Sequence, residues 1–174
     1  MIERRSILIA AGVSAFAPLA AFAQQGKVWR VGFLVARGRP TSSAPDPHYD
    51  AFTIGMRDLG YVQHKNVVIE LRSADGNYER LPELAAELVR LKVDVIVAAS
   101  TRSTAAAQKA TSTIPIVIAG SADPVAAGFA KTLSHPGGNI TGTANLVGDT
   151  SAKHLEMLRS IMPRLSRVAV LRNP

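Results

Sequence analysis

The sequence predicts an α/β fold: a doubly wound parallel sheet with helices on both faces. Three observations predict it. From Val28 onward, short apolar runs alternate with segments of helical period. Several of those runs are almost continuously apolar, as strands buried on both faces must be. The links between them are mostly short, which suits right-handed strand–helix–strand crossovers.

The strand runs, in order, are Val31–Val35, Val67–Leu71, Val93–Ala98, Ile116–Ala119, Ile140–Ala144 and Val168–Leu171. The first helical segment repeats Phe52, Met56 and Leu59 at i, i+4, i+7, and Gly60 stands where a C-terminal cap belongs. The second carries Leu81, Leu84, Ala85, Leu88 and Leu91 on one stripe, with Glu83, Glu87 and Arg90 off it. Pro82 is tolerated there because first-turn amides lack an intrahelical acceptor. An alanine-rich third helix runs from Ser103 to Thr111, and a shorter one is expected after Asp123 and Pro124. The last runs from about Ser151 to Met162 and stops at Pro163. The stretch Ala36 to Pro47 is the longest link. No internal repeat or low-complexity tract is present.

Residues 1–23 read as a signal peptide rather than as part of this fold. Arg4 and Arg5 precede the mostly apolar stretch Ile7 to Leu19, and Ala21, Phe22 and Ala23 fit the small-x-small cleavage rule. Gln24 is then the expected mature start. Pro18 and the short apolar length argue against a spanning helix, which needs ~20 apolar residues. The arginine pair also fits twin-arginine export.

The full chain has 174 residues and a formal charge of +7, and cleavage after Ala23 leaves +6. A basic balance can serve nucleic acid, but there is no zinc spacing, aromatic-rich RNA signature or basic helix, so no nucleic-acid partner is expected. There are no cysteines. An exported chain of this kind relies on its core rather than on disulfides, and a soluble periplasmic location is expected.

In an open parallel sheet, ligands bind beyond the carboxyl ends of the strands. That rule selects Arg37 after the first strand, Asp75 to Asn77 after the second and Ser100 with Thr101 after the third. After the fourth and fifth it selects Ser121 with Asp123, and Asn145. Ser100, Thr101 and Ser103 bring hydroxyls to a helix start, where unpaired amides favour an anion such as a carboxylate. The same serine or threonine can simply cap the helix. Asp123 can equally cap the short helix expected after it or accept a bond from a ligand ammonium.

Other chemistries find little support. Neither G-x-G-x-x-G nor G-x-x-x-x-G-K-[ST] occurs, and "HPGGNITG" (His135 to Gly142) precedes a strand rather than opening a helix. G-x-S-x-G is absent, although Gly120 and Ser121 resemble a part of it. His48, His64, His135 and His154 are scattered without metal-ligand spacing. No catalytic residue, metal site or cofactor is expected. The rivals to a binding role are a small exported α/β hydrolase-like enzyme and the sensor lobe of a transcription regulator.

Four stretches, taken together, are similar to one family: "AFTIGMRDLGYVQHKNVVIE", "ADGNYERLPELAAELVRLKVDVIVAAST", "KATSTIPIVIAGSADPVAAGFAKTLSHPGGNITG" and "KHLEMLRSIMPRLSRVAVLRNP". The chain resembles the ABC-transporter substrate-binding proteins of the tryptophan/tyrosine type, with a type I periplasmic-binding-protein fold. The resemblance runs from Arg30 to Pro174. It implies two lobes closing on an amino acid or similar small solute, a permease partner at the inner membrane, a monomer and the sheet order 2-1-3-4-5. It further implies one lobe over residues 24–148, with 149–174 as the crossover into a second lobe that is truncated here. Thr101 and Asp123 would face the cleft. The family usually has a proline after that threonine, where this sequence has Arg102. Gly137 and Gly138 would be turn residues with positive φ.

Overall fold

The computed structural model describes residues 27–121, 123–145 and 151–169. The expected signal peptide lies outside the described residues. Five strands, β1 (Trp29–Val35), β2 (Val67–Ser73), β3 (Val95–Ala98), β4 (Ile116–Ser121) and β5 (Ile140–Ala144), form one sheet in the order β2-β1-β3-β4-β5. Every pairing is parallel. The helices are α1 (Pro47–Asp58), α2 (Leu81–Arg90), α3 (Thr101–Ala110) and α4 (Ser151–Ile161), with a 3₁₀ turn at Tyr78–Arg80.

Alternation along the strands divides the core in two. Leu34, Ile96, Ala98, Ile116 and Ile118 face α2 and α3 in one cluster. Val31, Phe33, Val35 and Val97 point the other way, where Tyr49, Phe52 and Met56 of α1 cover them. The Phe33 ring meets Tyr49 edge-on at 5.2 Å and lies tilted 4.9 Å from Phe52. On α2, four of the five stripe residues, Leu81, Leu84, Ala85 and Leu88, are buried. Leu88 lies so close to β1 that a Cβ on Gly32 would sit 3.0 Å from both its methyl carbons. That spacing explains a glycine inside a central strand.

α1 and α2 both stop in Schellman turns. At the end of α1, Gly60 donates to Arg57 and Tyr61 to Met56, with Gly60 at φ +85°. At the end of α2, Lys92 donates to Val89 and Val93 to Leu88, and Lys92 itself takes φ +52°. Leu59, expected on the buried stripe of α1, is 76% exposed because it caps the helix where the chain turns away.

One expected element does not form. After Pro124 the chain makes turns rather than a helix, and Gly128 at φ +73° breaks the run before Phe129 enters the core. Of the last expected strand, Val168 and Ala169 have no regular structure, while residues 170–171 lie outside the described residues. Among the described residues no helix is long and apolar enough to cross a membrane.

The glycine loop before β5 lies at the amino end of the sheet. Gly137 has φ +75°, as a turn residue should, but Gly138 does not enter the positive-φ region. Lys131 donates to the Pro136 carbonyl across the loop, and the Asn139 amide group donates to the Ile114 carbonyl at 2.8 Å. The loop is a clasp holding the start of β5 against β4.

Candidate functional site

Parallel strands put all their carboxyl ends on one edge, and there the structure forms a hollow of about 460 Å³. Arg37 follows β1, Ser100 and Thr101 follow β3, Ser121 ends β4 and Asn145 follows β5; all five line it. Ala99, Ala119 and Gly120 complete the floor, and His48 enters from the first turn of α1. Asp123 is not among the lining residues. Its Oδ1 accepts from the Val125 and Ala126 amides at 2.9 and 3.0 Å, so it caps the turn that replaces the expected helix. Asp75 is also elsewhere, accepting from Ser73 Oγ and the Arg39 amide.

The α3 end is built by its own sequence. Ser100 has extended backbone and caps the helix, its Oγ accepting from the Ser103 amide at 3.1 Å. Ser103 Oγ lies 2.8 Å from Ser100 Oγ, and Thr104 Oγ1 donates to the Ser100 carbonyl. Thr101 Oγ1 reaches across to Ser121 Oγ at 3.0 Å, joining the β3 and β4 ends through two hydroxyls. Ser121 is 3% exposed, and its carbonyl accepts from the Asn145 amide. A register shift between Ile118 and Ser121 permits that contact. It accompanies a close approach of Gly142 to Ile118, where any Cβ would collide with backbone at 2.3 Å. These serines therefore bond to hydroxyls and amides, an arrangement that offers donors to a ligand. Among the described residues no cluster of His, Cys, Asp or Glu could hold a metal. Arg102, the residue after Thr101, stacks its guanidinium on the Tyr78 ring at 4.2 Å and ties α3 to the 3₁₀ turn.

The opposite wall depends on a residue that the sequence alone places inside a loop. Asp46 is 6% exposed and caps α1, its Oδ1 accepting from the His48 amide at 2.9 Å and from that of Tyr49 at 3.4 Å. Its Oδ2 forms an ion pair with Arg37 Nε at 2.5 Å, close in distance but without the alignment of a hydrogen bond. Burial pushes the Asp46 carboxyl up, but the His48 amide and the Arg37 charge outweigh it and hold it below its ordinary 3.8. An aspartate followed by proline at a helix start was the available signal.

Comparison with known proteins bears on this geometry. Residues 42–174 match the model of the family described as ABC transporter substrate binding protein. A tyrosine-binding protein of Clostridioides difficile (strain R20291) is 34% identical over 122 residues, which are 70% of this chain and 35% of that protein. Two solved structures superpose well. One, the ligand-free, open form of a substrate binding protein with adhesive properties from Clostridium difficile, gives a TM-score of 0.64 at 33% identity. The other, a conserved domain protein from Vibrio cholerae, gives 0.66 at 30%. Each superposition covers 79% of this chain and 45% of the other. The chain thus spans about a third of the tyrosine-binding relative and just under half of the solved structures.

Proposed function

The chain belongs to the ABC transporter substrate binding protein family, and on that premise we propose that it is the solute-binding lobe of an importer's receptor, with its ligand in the hollow beyond the strand ends. The observation that carries this is the convergence on that hollow of five residues from the ends of four strands. Ser100 and Thr101 offer hydroxyls and the amides of the α3 start to a carboxylate. Ser121 and Asn145 form the far side. A small solute carrying a carboxylate, such as an amino acid, fits this geometry, and the tyrosine-binding relative supports that class. In the whole receptor a second lobe would close the hollow into a cleft, and the closed form would dock on an inner-membrane permease. The receptor would work as a periplasmic monomer. Residues 149–174 would be the crossover between lobes.

One lobe should bind weakly. If a complete receptor binds with a dissociation constant near 1 μM, about −8 kcal/mol, keeping roughly half of the favourable contacts leaves about −4 kcal/mol, or millimolar. Calorimetric titration of the chain with a panel of amino acids, at millimolar ligand, should show weak heats that vanish in Thr101→Val with Ser100→Gly. Binding unchanged by that pair of substitutions would remove the α3 start from the site.

A further inference from the structure

The lining of the hollow presents one guanidinium and no acid. Arg37 lines it with its charge paired to the buried Asp46 behind the wall, and none of the nine described lining residues is aspartate or glutamate. Its walls are also short: alanine, glycine, serine, threonine and asparagine, with no Phe, Tyr or Trp among them. A zwitterionic solute would find no carboxylate for its ammonium among those described lining residues. An aromatic side chain would find no wide apolar surface to bury against.

Arg37 is also aimed. The buried Asp46 engages its Nε, and among the described residues no group accepts a hydrogen bond from its two terminal nitrogens. The side chain remains 47% exposed. With Nε taken up by that ion pair, the terminal nitrogens are left as a planar fork, whose geometry matches the two oxygens of a carboxylate. Two anion-seeking groups thus line one hollow: the hydroxyl-bearing start of α3 and the Arg37 fork.

We infer that the solute is a dicarboxylate, with one acid group at Ser100 and Thr101 and the second on Arg37. The inference rests on the solute-binding reading above and specifies its ligand. Asp46 is then a positioning residue, because it acts through the orientation of Arg37.

Nitrogen-15 NMR of the whole chain, titrated with succinate, glutarate, alanine and tyrosine, tests this. Succinate or glutarate should shift the Ser100 and Thr101 amides together with the Arg37 Nε–H signal. The better of the two should bind at least about tenfold more tightly than alanine, as a charge-assisted fork implies. In Arg37→Gln that preference should fall to near one. Asp46→Asn, which keeps a capping oxygen, should weaken the preference while the spectrum stays folded. Alanine or tyrosine binding at these amides as tightly as both dicarboxylates would overturn the dicarboxylate assignment and leave solute binding standing. If none of the four shifts these signals, both readings fall.

Discussion

The two faces of the sheet are held in different ways. One carries α2 and α3 over a cluster of fifteen buried residues, several at zero exposure. The other carries α1 over five buried strand residues, and no residue of α1 is itself fully buried. Ile54 of α1 is 54% exposed. Yet α1 brings His48 to the hollow and its cap, Asp46, to Arg37, whereas the tightly packed face supplies only the start of α3. Stability is therefore concentrated in one layer, and the adjustable wall of the site rides on the other. Local opening is drawn from elements with few buried contacts, so α1 is where the hollow can change shape without loss of the fold.

The largest expected effect tests the tight face. Leu88→Ala removes a fully buried side chain that touches Gly32, and it should cost about 2–5 kcal/mol in denaturant unfolding. A loss below about 1 kcal/mol would mean that this face relaxes as easily as the other.

Next comes the cap of α1. Asp46→Ala should cost about 1–2 kcal/mol, whereas Asp46→Asn keeps the capping oxygen and loses only the charge. The Asp46 pKa is lowered on folding, so its ionised form contributes stability above the ordinary 3.8, and that contribution is lost as pH falls below it. The gap between the natural chain and Asp46→Asn should therefore shrink on acidification from neutral pH to about pH 3. A gap that widened on acidification would contradict the Arg37 pairing.

The smallest effect compares the two helix stops. Gly60 ends α1 at positive φ without penalty, whereas Lys92 ends α2 there with a side chain. Lys92→Gly should gain up to about 1 kcal/mol by removing that penalty, and a thermal melt would show it as a small rise. A clear loss would mean that the lysine stem contributes packing that outweighs its backbone cost.

Most of this architecture was legible because its signals are local. Apolar runs place the strands, the leucine stripe gives α2, and the rule about strand ends gathers Arg37, Ser100, Thr101, Ser121 and Asn145. What escaped depends on where the chain returns. His48 reaches the hollow, and Asp46 reaches Arg37, only because α1 folds back on β1, a long-range event without a periodic trace. Asp123 is adjacent in sequence to residues of the site, but its carboxylate is taken by its own turn. The expected helix after Pro124 failed because Gly128 at positive φ ends the run within one turn. The β4–β5 register shift was invisible as well, since Gly142 reads as one more residue of the Ile140–Ala144 strand until Ile118 lies against it.

The sheet order has a consequence in time. β1 is the first strand made, yet it lies between β2 and β3. It can be paired on both sides only after roughly 60 more residues have left the ribosome, which at 5–20 residues per second takes on the order of 3–12 s. Through that interval the run Val31, Phe33, Leu34 and Val35, among the most deeply buried residues of the finished lobe, has no complete shelter. Among the five strands it is the one that waits longest for both neighbours, and its polarity is constrained by synthesis as well as by the finished core.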